Sequence, residues 1–325
     1  MRRIIALLMV IGFLAAVIGC ASGPPALDEF PDDMGLVMPV VMFGDPADGA
    51  HDSASFQFGA PKPIAVDSKG NIIVGSEDFD LSVFTSEGEF VTLIGSRGEG
   101  KGQWMYPKGI AVDKAGNIYV TDNAQFKVMI FDSGYNLVAE FGERGEGPGK
   151  LNDIGDIAVD DNGNIYVSDD GTGIHVFDPD YKYIKTIIDP DQTGENGYIT
   201  VNTKLKKLYV SEDGNGQVDV YDTETGKFLY DFGGLGSAPE NLTEDIEGLA
   251  IGPWDMVFVV DEARVSIKLY QEDGTFITQF GKKGLYEGEM ASSEGVAYDA
   301  KNRRIVLADE KNHRVQSFAL KDLGF

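Results

Sequence analysis

Between residues 109 and 142 the chain passes through four short apolar segments. They are Ile110-Ala111-Val112, Ile118-Tyr119-Val120, Val128-Met129-Ile130-Phe131 and a last one ending in Phe141-Gly142, with a polar turn after each of the first three. Apolar runs this short, bounded by Gly, Asn and Asp, predict β-strands, and four in succession predict one antiparallel sheet. The unit recurs. Its first strand returns as Ile64-Ala65-Val66, Ile157-Ala158-Val159, Ile199-Thr200-Val201, Leu249-Ala250-Ile251 and Val296-Ala297-Tyr298, giving successive spacings of 46, 47, 42, 50 and 47 residues. The third strand carries one aromatic per copy: Phe84, Phe131, Phe177, Tyr221, Tyr270 and Phe318. Gly70-Asn71, Gly116-Asn117 and Gly163-Asn164 supply turns where positive φ is needed. Repetition at this period marks a repeat architecture.

The strands are continuously apolar where a half-exposed sheet would alternate, so each sheet is expected to be covered on both faces. Stacking the sheets radially around an axis achieves this, and closing the ring removes the exposed end sheets. The middle residue of the first strand is Ala in five copies and Thr in one, as a crowded innermost strand requires. The expected fold is therefore all-β, a six-bladed β-propeller of four-stranded antiparallel blades. The sixth copy has only three strands. The missing one is expected at the other end, in Leu36-Val37-Met38-Pro39-Val40-Val41-Met42-Phe43-Gly44, with Pro39 on an outer edge where a lost donor faces solvent.

The beginning of the chain reads differently. Met1-Arg2-Arg3 precedes an apolar run from Ile4 to Gly19, too short to span a bilayer as a helix and followed by Cys20, the one cysteine. This resembles a bacterial lipobox. The resemblance implies a signal peptide over 1–19, a lipidated Cys20 with a flexible tether over 20–34, and a propeller body over 35–325. Ala21 after the cysteine implies export to the outer membrane, in contact with lipid through the anchor only. Lys+Arg 27 against Asp+Glu 53 gives −26; without Arg2 and Arg3 the balance is 25 against 53, or −28. Such a surface argues against nucleic acid and favours a cationic protein or peptide partner in the cell envelope, with a monomeric body.

Lys311-Asn312-His313-Arg314-Val315 places Asn-His-Arg at the head of a third strand. Together with Gly-Ile-Ala-Val-Asp, Gly-Asn-Ile-Tyr-Val-x-Asp and the terminal Phe-Gly, it resembles the NHL repeat over about residues 36 to 320. The resemblance implies a six-bladed propeller serving as a binding or scaffold module.

Two sets of residues are candidates for function. Those just before each first strand enter at the mouth of the central channel: Lys62, Lys108, Asp156, Tyr198, Glu247 and Glu294. The loops after the second strands, on the same face, are acidic through Asp78, Asp80, Asp170, Asp213, Glu262 and Glu310. The recurring Asp122, Asp169, Asp261 and Asp309 are expected to hold turns together. Asp156, Glu247 and Glu294 could hold Ca²⁺, which takes six to eight oxygen ligands. That alternative would make the chain a metal-dependent enzyme of lactonase or lyase type. Three histidines at unlike blade positions, His51, His175 and His313, cannot form a zinc-binding ring.

Overall fold

The computed structural model describes residues 33–44, 59–76, 81–187 and 196–325. The segment read as a signal peptide, Cys20, most of the tether, His51, Asp78 and Asp80 lie outside the described residues. Six four-stranded antiparallel sheets are present, and within five of them strand order follows the chain. Their first strands, which define blades one to six, are Pro61–Val66, Pro107–Val112, Ile154–Val159, Asn196–Asn202, Ile246–Ile251 and Ser293–Asp299. Each touches the next, and the sixth touches the first, so the ring closes. Ala65, Ala111, Ala158, Thr200, Ala250 and Ala297 all line a central channel of about 240 Å³. Small side chains are needed there because six strands converge.

The third-strand aromatics are all buried. At several seams the aromatic that ends one blade packs on that of the next. Phe141 lies 4.9 Å from Phe177, Phe232 lies 4.7 Å from Tyr270, and Phe280 lies 5.4 Å from Phe318, ring centre to ring centre. After blade one, whose fourth strand ends in Ile94, Trp104 takes this place, fully buried and 5.8 Å from Phe131.

Blade six is completed from the start of the chain. Val41–Gly44 pairs antiparallel with Arg314–Ala319, Val41 opposite Ser317 and Gly44 opposite Arg314. Phe43 then meets Phe84 of blade one at 4.7 Å, the same contact as at the other seams. One correction concerns its length. The strand does not include 36–40, and Pro39 precedes it. Gly35, at φ 63, turns the chain after Met34 N–H donates to the Gln279 carbonyl and before Gly281 N–H donates to the Gly35 carbonyl. The segment thus first caps the outer edge of blade five and then crosses to blade six.

Candidate functional site at the channel mouth

All six first strands begin with a register irregularity, between Pro61 and Ile64, Pro107 and Ile110, Ile154 and Ile157, Asn196 and Ile199, Ile246 and Gly248, and Ser293 and Gly295. A bulge leaves a residue out of the ladder and re-aims its side chain. The residues in these bulges include Lys62, Lys108, Asp156, Tyr198, Glu247 and Glu294, the six expected at the mouth. All six line one basin of about 260 Å³, joined there by Tyr106, Asp170 and Asp213. The two candidate sets therefore meet: five carboxyl side chains and two lysines share the wall.

Adjacent bulges pack closely. A Cβ on Gly109 would lie 2.5 Å from Asp156 Oδ1, and one on Gly295 would lie 2.5 Å from the Lys62 carbonyl, so glycine is required beside the mouth. Hydroxyls from the second strands hold the arrangement. Thr121 accepts from Gly109 N–H and donates to the Gly155 carbonyl of the next blade. Ser168 accepts from Asp156 N–H and donates to the Gly197 carbonyl, while Ser211 accepts from Tyr198 N–H. Sequence reasoning missed these three residues. Their signal was a hydroxyl just before the acid that ends the second strand, in Thr121-Asp122, Ser168-Asp169 and Ser211-Glu212.

The mouth is electrostatically divided. Lys62 lies 3.4 Å from Glu294 and 3.1 Å from Glu310; these partners outweigh its burial and raise its pKa. Across the basin, the Tyr198 hydroxyl donates to Glu247 at 2.7 Å. Asp156 accepts from Ile199 N–H at 3.0 Å, but burial pushes its carboxyl up to about 7. Burial likewise raises Glu247 to about 7, with repulsion from Asp213, Asp245 and Glu262 added and the Tyr198 bond opposing. Glu294 is pushed up to about 8 by burial and by Glu247, against the pull of Lys62.

The structure groups the metal candidates differently from the sequence. Among the described residues, the carboxylates whose oxygens lie within 4.8 Å of one another are Asp245, Glu247 and Glu262, not Glu247 with Asp156 and Glu294. Asp245 was not singled out, although Glu244-Asp245-Ile246-Glu247 carries acids at alternate positions. Its carboxyl rises to about 6 through burial and its bond with Glu262. Glu262 is held below its usual range despite burial, by Ser292, Asp245 and Lys311, whose Nζ is 3.3 Å away.

The recurring acids at the ends of the second strands play a different part. Asp122 accepts from Met105 and Tyr106 N–H, Asp169 from Asn152 and Asp153 N–H, and Asp309 from Ala291 N–H. All three are fully buried and pin the crossover loop to its blade.

A pH dependence follows. Asp156, Asp245, Glu247 and Glu294 hold protons more tightly folded than unfolded. They therefore favour folding as pH falls from about 8 towards the unfolded carboxylate range, and that advantage is lost as pH rises through 7 to 8. Thermal unfolding should show a melting temperature higher at pH 5 than at pH 8 by roughly 3–6 °C. General self-repulsion of an acidic chain acts in the same direction, so the discriminating measurement is the slope in Glu247→Gln/Glu294→Gln. A slope unchanged from wild type would assign the effect elsewhere.

Comparison with known proteins supports the architecture. A family described as 6-bladed beta-propeller matches residues 53–141 and 115–196, and the NHL repeat matches 294–318. A solved structural genomics protein of unknown function from Bacteroides thetaiotaomicron VPI-5482 superposes with a TM-score of 0.65 at 14% identity, over 87% of this chain and 75% of that one. At that identity the likeness concerns the fold alone. No curated protein matches the chain.

Proposed function

We propose that this six-bladed β-propeller, with an NHL repeat in its last blade, is an exported binding module tethered to the outer membrane through Cys20. It receives a cationic group of a protein, peptide or small ligand in the acidic basin at its channel mouth. The observation that carries this reading is the convergence of Asp156, Asp170, Asp213, Glu247 and Glu294 on one basin. Lys62 is already engaged by Glu294 and Glu310, and the raised carboxyls of Asp156, Glu247 and Glu294, partly protonated near pH 7, would give up protons to an incoming cation. Half-buried carboxyls that repel one another gain from a cation more than solvated ones do, because water screens them less.

Calorimetric titration with hexalysine and its fully acetylated counterpart tests the reading. The charged peptide should bind with strong salt dependence, the acetylated one should not, and Glu247→Gln/Glu294→Gln should weaken binding about tenfold or more. Equal binding of both peptides would refute it.

A second reading rests on Asp245, Glu247 and Glu262. Their donors are all carboxylate oxygens, a hard set suited to Ca²⁺, and a cation would relieve the repulsion that raises Asp245 and Glu247. Under this reading the mouth would serve a metal-dependent enzyme of lactonase or lyase type. Heat on adding CaCl₂ that is absent in Glu262→Gln would favour it over the first.

A further inference from the structure

The segment that clasps the ring is apolar on both of its sides. Val37 points inward and is buried, whereas the alternate residues Leu36, Met38, Val40 and Met42 remain 44%, 50%, 42% and 38% exposed. An outer edge facing only water is ordinarily polar or charged, which prevents association. No charged residue occurs from 36 to 44, in a chain with 53 acidic ones. The patch continues onto the crossover loop between blades five and six. A Cβ on Gly288 would touch the Leu36 side chain at 3.1 Å and the Met38 sulfur at 3.3 Å, and the same loop exposes Leu285 and Tyr286, the latter 78% exposed. Lys282 and Lys283 precede them and Glu287 follows; Lys282 is paired with Glu289 at 2.6 Å, which leaves Lys283 beside the patch. Exposed aliphatic side chains flanked by Tyr and Lys have the composition of a surface that rests at a lipid–water boundary.

We infer that this patch on blades five and six docks against a lipid bilayer. The inference rests on the reading that the chain is anchored through Cys20. The occupant is chosen by what precedes the patch. The apolar run from Ile4 to Gly19 and Cys20 lie just upstream, and only residues 21–33 separate Cys20 from the clasp. A random coil of thirteen residues spans about 20 Å. An anchor on Cys20 thus keeps the patch at an effective concentration on the order of millimolar relative to the membrane, and weak apolar contacts then suffice to hold it there. The acidic body opposes binding to anionic lipid, so the surface engaged is a zwitterionic one. This departs from the expectation that lipid is touched through the anchor alone.

The test uses the lipidated full chain in phosphatidylcholine vesicles, with a nitroxide attached at Met42→Cys, at Tyr286→Cys, or at Asp180→Cys on blade three as a remote control. Collisions with oxygen should rise and those with a water-soluble nickel chelate should fall severalfold at 42 and 286, while 180 stays aqueous. If the chain floats with vesicles but 42 and 286 behave like 180, the docking surface is refuted and the anchor stands. If the chain does not float, anchor and docking fail together. Dipolar broadening between labels at 42 would show a second copy on the patch and would also overturn the inference.

Discussion

Arg314→Ala should destabilise the protein by about 3–5 kcal/mol and lower its melting temperature by roughly 10 °C. Its guanidinium is buried. It donates to Asp309 Oδ2 at 2.9 Å and to the carbonyls of Leu285, Tyr286 and Glu289 at 3.0, 2.8 and 2.7 Å. Asp309 also accepts from Ala291 N–H, Asn312 and Gln316. Removing Arg314 would leave three loop carbonyls without this donor and a buried carboxylate without its counter-charge. A lysine would restore the charge but not the planar fork that reaches Asp309 and the carbonyls together, so Arg314→Lys should recover only part of the loss. Thermal unfolding of the two variants checks both statements. Melting curves within 2 °C of wild type would mean that the Asn-His-Arg signature does not hold this loop.

Deleting residues 33–44 should have the larger consequence, loss of the folded monomer. The deletion exposes the edge of Arg314–Ala319, removes Phe43 from Phe84, and takes Val37 out of the core of blades five and six. Loss of one large buried side chain alone costs about 2–5 kcal/mol, against a typical total stability of 5–15 kcal/mol. The strand ladder is lost as well, and an unpaired apolar edge recruits other chains. Size-exclusion chromatography should find the truncated chain aggregated or unfolded. A monodisperse monomer with wild-type urea resistance would contradict this.

Much of the architecture was legible because it is written six times. The first-strand Ala or Thr, the third-strand aromatic and the terminal Phe-Gly each keep phase, so a single weak signal becomes a strong one. The mouth residues could be named for the same reason: whatever precedes each first strand must converge where those strands converge. What stayed hidden depends on backbone irregularity and on contacts between blades. The bulges that turn Lys62 or Glu294 inward leave no mark on apolar periodicity. Glu247 shares the basin with Asp156 and Glu294, but the carboxylates clustered tightly with it are Asp245 and Glu262, brought together where Glu262 N–H bonds the Asp245 carbonyl. The clasp was legible as a missing strand, but its extent was not. Gly35 and Pro39 divide it into a part that caps blade five and a part that completes blade six.

The closed ring brings the six bulges to one basin, so its closure is the claim on which the rest stands. Amide hydrogen exchange across 36–44 tests it without altering the chain. Val40 N–H, which donates to the Ser317 carbonyl at 2.7 Å, should be protected to the same degree as the amides of Arg314–Ala319. Exchange at the rate of an unstructured peptide there, with 304–319 still protected, would show blade six standing open.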